Sequence, residues 1–378
     1  MKKAFVSAFA VSSAAVLMWS ALSVAPAAQS ALSERSFLSR VRRLTVEGKR
    51  AGEGYWAPDG KRLVFQSERD PANPFYQIFV LDFATGESRR ISPGMGKTTC
   101  AFFRPGSDEI MFGSTHLDPK SLQYQKEELD FRASGKERRY AWDYDPEMEI
   151  FAYSEKTGTL KQLTTAKGYD AEGGYSPDGQ WIVFSSMRDA YNRPLSPAEQ
   201  KQLALDSSFF AEVYIMKADG SGQKRLTDWA GYDGGTFFTR DGHIVWRHFD
   251  ESGLIANVWT MKPDGSDKKQ ITDFAAMSWA PYEHPSGEYF VFASNKLGFE
   301  NFEVFMVDKA GTREPVRITY SDGFDGLPVP SPDGTQMAFT SSRAGGAGSA
   351  GQIYLAQWNH EAAMAALKAA PPRITARK

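Results

Sequence analysis

A turn of the Ser-Pro-Asp-Gly type, running straight into an apolar strand, returns six times in this chain. The units are YWAPDGKRLVF at 55–65, FFRPGSDEIMF at 102–112, YSPDGQWIVF at 175–184, FFTRDGHIVW at 237–246, EHPSGEYFVF at 283–292 and PSPDGTQMAF at 330–339. In Ser176-Pro177-Asp178-Gly179, Pro presets φ at the second position, Asp tolerates the third, and Gly takes left-handed backbone. The run Trp181-Ile182-Val183-Phe184 that follows is β-branched and aromatic, which suits a pleated strand. Each unit continues into a second β run: QIFVLD, EIFAYS, EVYIMK, NVWTMK, EVFMVD or QIYLAQ. The first five add a third, RRIS at 89, KQLT at 161, KRLT at 224, KQIT at 269 and VRIT at 316. One repeat is thus four strands, A to D, which cannot bury both faces unless copies stack around an axis. The expected fold is all-β, a six-bladed β-propeller of four-stranded blades. Period-2 runs exclude a helical solenoid, and a sandwich would not keep so regular a repeat.

Spacing extends the argument. Thirteen residues separate the Ser or Thr ending strand D from the Pro, or Arg240, of the next A–B turn: Ser92 to Pro105, Thr164 to Pro177, Thr227 to Arg240, Thr272 to Pro285 and Thr319 to Pro332. Thr45 to Pro58 obeys the same rule, although no blade precedes Thr45. The last repeat lacks a strand D, because NHEAAMAALKAA after it reads as a helix. The N-terminal strand Val41–Thr45 is therefore expected to complete blade 6 and close the ring. The C-terminal PPRIT competes for that place, but its spacing is too long. Two B–C connections are extended, 117–146 in blade 2 and 189–210 in blade 3. The second holds Ser196-Pro197-Ala198-Glu199, a capping box that predicts a helix from Pro197 to about Leu205. If A–B and C–D turns share one face of the disc, the B–C and D–A loops, with both insertions, share the other. Long loops on a rigid scaffold are where function tends to sit.

The composition, 42% hydrophobic with 33 Gly and 20 Pro, is globular. Residues 1–27 carry Lys2 and Lys3, an apolar run to Val24, and Ala25-Pro26-Ala27. That order describes a secretory signal peptide cleaved near Ala27, followed by a short lead, 28–40. The competing reading, an anchor helix, lacks a stop pattern after it. Loss of Lys2 and Lys3 takes the formal charge from −2 to −4 and leaves no basic stripe, so nucleic acid is not an expected partner. Cys100 is the single cysteine, read as buried and inert on an apolar strand.

Taken together, the S-P-D-G turn, the aliphatic-aromatic strand, S-x-R, x-A-D-G-S, R-x-L-T and G-Y-D resemble the WD40-like Pro-Asp repeats of TolB-type β-propellers. The match runs from Val41 to Trp358. GYDAEGGYSPDG at 168–179 and GYDGG at 231–235 are similar to members of a periplasmic TolB-like family. The resemblance implies a six-bladed ring, export across the inner membrane, and protein binding more often than catalysis. The expected departure from the name-giving Tol–Pal component is the lack of an α/β domain between the predicted cleavage site and the closing strand. The expected departure from prolyl-oligopeptidase-like enzymes is the lack of an α/β-hydrolase domain joined to the propeller. The expected organisation is a propeller over 41–360 and a C-terminal helix and tail over 361–378.

The candidate site is a ring of charges at the channel mouth. Asp170, Asp233 and Asp325 share one position before the turn, and Glu53 and Glu172 share another, two residues on. Four residues after the Phe of strand B come Arg69, His116, Arg188, Lys296 and Arg343. His116 is the least repetitive and begins the longest insertion. The bland alternative is that these charges pair between blades and terminate strands. Tyr140, Trp142 and Tyr144 in the blade 2 insertion suit a partner-docking surface or a lid core. HEAAM at 360 lacks the second His of a zincin helix. AGSAG at 347 lacks the setting of a nucleophile elbow. The leading expectation is a non-catalytic, monomeric, exported propeller without a membrane span, binding an envelope protein or peptide through the insertion face. The alternative is a metal-assisted lyase or hydrolase at the channel mouth. No catalytic residue, cofactor or metal ligand set is assigned, and a divalent cation is the other occupant the acids would accept. Only His116 and His248 lie on the expected face, few for a metal site.

Overall fold

A computed structural model describes residues 32–136, 143–345 and 350–373. It consists of six four-stranded antiparallel sheets arranged as the blades of a propeller. The inner A strands are Arg50–Trp56, Thr98–Phe103, Asp170–Tyr175, Tyr232–Phe238, Ser278–Glu283 and Asp325–Pro330. In blades 1 to 5 the strands follow chain order from axis to rim. Strand B is buried on both faces, as at Leu63, Val64 and Phe65, because each blade is covered by its two neighbours. Strand D is short and carries exposed cations, as in Lys224–Arg225 and Lys269–Gln270, which blunts an otherwise open edge.

The recurrent turn behaves as its residues require. Gly179 has φ +67° and its N–H donates to Ser176 O at 2.8 Å, while Ser176 Oγ accepts from Trp181 N at 2.9 Å. A Cβ on Gly179 would lie 2.6 Å from Pro105 O of the neighbouring blade's turn.

The thirteen-residue rule has a physical cause. The hydroxyl ending each strand D accepts the N–H of a strand C residue: Ser92 from Ile78, Thr164 from Ile150, Thr227 from Val213, Thr272 from Val258, Thr319 from Val304. Thr45 does the same for Ile353, in blade 6. The hydroxyl thus pins where strand D ends, and the chain restarts from a fixed point.

Blade 6 is closed by the N-terminal strand, in the order Leu38–Arg43, Gln352–Trp358, Gln336–Ser341, Asp325–Pro330. The strand begins earlier than expected from the spacing, because the lead before it is itself ordered. Helix α1 (Glu34–Phe37) packs Phe37 against Trp358, with ring centroids 6.1 Å apart, and Glu34 pairs with Arg343. The described part of PPRIT, 371–373, goes elsewhere: Pro372 bridges Arg313 beside blade 5.

The blade 2 insertion contains α2 (Ser121–Ala133), laid back over blade 1. Gln125 Oε1 accepts from Gly96 N at 2.8 Å, and Arg132 pairs with Glu68 at 2.7 Å. The blade 3 insertion holds α3 (Asp189–Asn192) and α4 (Pro197–Leu205), the latter opened by the expected Ser196–Glu199 capping box. Helix α5 (His360–Ala369) follows blade 6. Among the described residues, no helix is long and apolar enough to cross a membrane. The signal peptide expected at 1–27, with its cleavage near Ala27, lies outside the described residues, as do Tyr140 and Trp142.

Candidate functional site

Every A strand carries an extra residue, because the register against strand B shifts in all six blades. The residue at each shift, five before the turn Pro or Arg, has left-handed backbone: Glu53, Cys100, Glu172, Gly235, Ala280 and Leu327, with φ between 50° and 60°. A bulge of this kind re-aims one side chain. Here all six bulge residues, five of them with side chains, line a single cavity of about 430 Å³ counting the open solvent at its mouth. Holding a non-glycine residue in this conformation costs about 1–2 kcal/mol, which the packed ring must offset. Being near the start of strand A, the cavity belongs to the face of the B–C and D–A loops.

Beneath it the axis is filled. Tyr55, Phe102, Phe237 and Tyr282, two residues on from the bulge in four blades, meet with centroids 5.1 to 6.2 Å apart. The channel is therefore a blind pocket with an aromatic floor.

Its charge is set by three side chains. Arg247, from strand B of blade 4, reaches the axis because the bulge residue of its own blade is Gly235. A Cβ there would lie 2.0 Å from Arg247 Nη1. Arg247 Nη2 donates to Glu172 Oε2 at 2.9 Å and contacts the Tyr232 hydroxyl. Glu172 also accepts from Gly235 N at 2.8 Å and from the Tyr232 hydroxyl. Burial works against the Arg247 charge, but Glu172 and Tyr232 hold its guanidinium above the ordinary range. Glu53 is 8% exposed, accepts from the Tyr55 hydroxyl at 3.2 Å, and has no ion-pair partner among the described residues. Burial pushes it up to about 7, with Glu172 adding to the rise and the Cys100 thiol, the Tyr55 hydroxyl and the Arg247 charge pulling down. Burial, with both glutamates near, also holds Cys100 as a thiol.

Of the expected ring, only Glu53 and Glu172 line this cavity. The aspartates two residues earlier turn toward strand B of their own blade instead. Asp170 pairs with Arg188, Asp325 with Arg343, and Asp233 accepts from His248 Nδ1 at 2.8 Å and Trp246 Nε1 at 2.9 Å. The expected charges thus fall into two sets: the three aspartates are held within their own blades, while Glu172 pairs across the blade boundary with Arg247. The bulge separates two positions that a regular strand would place side by side. Of the bases after strand B, Arg69, Arg188 and Arg343 cap aromatics of strands B and C, while Lys296 lies over Phe274 of a D–A loop. Arg69 lies 4.3 Å from the Phe79 centroid and pairs with Glu47, and Arg188 lies 4.9 Å from Tyr214. His116 follows the same pattern, 4.5 Å from Phe151 and bonded to Ser114 Oγ at 2.9 Å, with burial lowering its pKa. It is not at the axis. Tyr144 packs edge-on against Tyr169 and Tyr232, so this member of the docking trio supports the site from behind instead of facing a partner.

Sequence reasoning missed Arg247, Trp279 and the part Cys100 plays in the ring. The bulge column was there to be read, five residues before each turn. Arg247 had no such signal, since no other blade places an arginine at its position.

No family model matches this chain. An uncharacterized protein of Agrobacterium fabrum is 28% identical over 191 residues, 46% of this chain. The matches to curated relatives span only 22% and 57% of those relatives' lengths. A structure provisionally designated TolB, from Agrobacterium tumefaciens, superposes with a TM-score of 0.54 at 19% identity, covering 84% of this chain and 93% of that one. An oligogalacturonate lyase of Vibrio parahaemolyticus gives 0.51 at 13% identity, covering 85% and 94%. At such identities the likeness shows the propeller fold alone.

Proposed function

We propose that this chain is a non-catalytic, exported, TolB-like propeller that docks an envelope protein or peptide on the face of its B–C and D–A loops. The observation that carries this reading is the asymmetry of exposed apolar side chains. Among the described residues nine large hydrophobics are exposed. Leu117, Leu122, Leu205, Leu254, Leu297 and Phe299 lie on B–C connections, and Val46 and Tyr320 on D–A loops. Only Trp181 lies at the A–B end. Scattered apolar residues are ordinary, but confinement to one face around a pocket marks an interaction surface. The TolB-like neighbour supports the same reading by fold. The metal-assisted alternative finds no group of three His, Cys, Asp or Glu arranged to hold a metal among the described residues.

The test is co-purification from an envelope extract with Leu297→Ser/Phe299→Ser, against Trp181→Ser as the other-face control. Capture should fall at least about tenfold for the first and stay intact for the second, since two buried interface anchors are worth that much or more. Equal capture by both variants would refute the docking face.

A further inference from the structure

The axial pocket holds an acid with no ion pair of its own among the described residues. With Glu53 ionised, Glu53, Glu172 and Arg247 sum to one negative charge, and Arg247 is already committed to Glu172. Cys100 and Tyr55, the remaining titratable groups facing Glu53, are neutral, both held well above their usual values by burial. An acid more than nine-tenths buried beside a cavity, whose nearby arginine is committed to another carboxylate, is expensive to ionise unless a further cation meets it. The walls narrow the choice. Tyr55, Phe237 and Trp279 line the same space, Trp279 already with the Arg247 guanidinium 5.7 Å from its ring centroid, and such aromatic surroundings favour organic cations over strongly hydrated metal ions. A divalent ion would also overshoot the charge, and the donors do not form a three-ligand set.

We infer that the axial pocket binds a primary ammonium group, with Glu53 as its counter-ion and the aromatic walls as its cage. The inference rests on the docking reading in one respect: the ammonium would be carried by the docked partner, on a lysine side chain or at an N-terminus. Seating the cation requires Glu53 to lose its proton, so binding strengthens as pH rises through about 7.

The experiment is a ligand-observed NMR titration of the purified protein at constant ionic strength, using ethylammonium as probe. N-acetyl-lysine methylamide and glycinamide separate a side-chain amine from a terminal one. Saturable ethylammonium binding is expected at pH 8. At pH 6 it should be about tenfold weaker, the ratio of ionised Glu53 at the two pH values. Glu53→Gln should abolish it while keeping a cooperative thermal transition. No binding at pH 8, unchanged binding by Glu53→Gln, or binding of acetate in place of ethylammonium would overturn the proposal. So would displacement by equimolar magnesium, which would mark a metal site. If Glu53→Gln does not fold, the wild-type pH series decides, and a pH-independent affinity refutes the assignment. No partner enters this titration, so its outcome is independent of the rim variants that test docking.

Discussion

The hydroxyl of Thr45 accepts a 2.9 Å hydrogen bond from the N–H of Ile353, 308 residues further along the chain, and donates to Gln352 Oε1 at 2.7 Å. The same clamp holds strand D to strand C inside every other blade, but here it joins the two ends of the ring. Thr45→Val leaves a buried N–H unpaired and should cost about 1–3 kcal/mol, read as a lower thermal midpoint. Removing residues 28–46 takes away the whole outer strand of blade 6, together with Phe37 and the Glu34–Arg343 pair. Removing 371–378 loses the Pro372 bridge to Arg313 and the bonds of Arg373 to Thr312 and Ile271. The first deletion should abolish cooperative unfolding and the second should shift it slightly. The reverse order would mean that closure depends on the C-terminal tail.

Gly235 and Arg247 are expected to be coupled. Gly235→Ala brings a Cβ to 2.0 Å from Arg247 Nη1 and adds a side chain at φ +60°. The guanidinium must shift, and if it gives up Glu172 that carboxylate is buried without its cation, at a cost of up to about 3–5 kcal/mol. In an Arg247→Met background that loss has already occurred. Gly235→Ala should then cost only the backbone strain, about 1–2 kcal/mol. Denaturant unfolding of the four proteins in a double-mutant cycle checks this, and additive costs would show that the two residues act separately.

The six blades, their order, the closing strand and the capping box of α4 were all legible, because each is written in short-range chemistry. A turn needs Pro and Gly at set positions, and Thr at a fixed distance clamps the next strand. The site was only half legible. Glu53 and Glu172 share a column with Cys100, Gly235, Ala280 and Leu327, and no side-chain preference shared by those residues announces a left-handed bulge. Period-2 reasoning therefore grouped them with Asp170, Asp233 and Asp325, which the bulge sends the other way. Helix α2 was invisible for a different reason. Its buried face is Ser121, Gln125 and Glu128, held by polar contacts, so its sequence shows no apolar stripe.

Glu53 makes a pH prediction. Its folded value is about 7 against an ordinary 4.5, so the folded chain binds more protons between those limits. The associated stabilisation is complete below pH 4.5 and is lost as pH rises through 7. Glu53→Gln cannot titrate. The stability of wild type relative to this variant should therefore fall by roughly 3 kcal/mol between pH 4.5 and 8. Glu149 and Glu212, which burial pushes up to about 8, tilt both proteins alike and cancel in the difference. Urea unfolding across that range is the measurement, and a flat difference would place Glu53 in an ordinary carboxylate environment.

The blade 2 insertion can be shortened without opening the ring, provided the cut spares its last residues, 143–146. Asp145 pairs with Lys97 at 2.8 Å, and Tyr144 wedges between Tyr169 and Tyr232 behind Glu172, so residues 143–146 belong to the scaffold. Helix α2 belongs to the surface. Its anchors are Gln125 on Gly96 and Ala72, and Arg132 on Glu68 and Pro74. Without α2, Glu68 keeps Lys49 and Arg50 as counter-ions, and the freed backbone groups meet water. Replacing 118–142 with a short Gly-Asn turn should therefore leave a folded propeller, with a loss of about 1–3 kcal/mol for the anchors. Leu122 goes with it, and with Leu122 one apolar contact of the proposed docking face. Capture of the envelope partner should weaken sharply, while ethylammonium binding at Glu53 should not change. If the shortened protein captures its partner at full strength, α2 is not part of the docking face. If it loses ethylammonium as well, the cut has disturbed the axis through Tyr144 and the division drawn here between scaffold and surface is wrong.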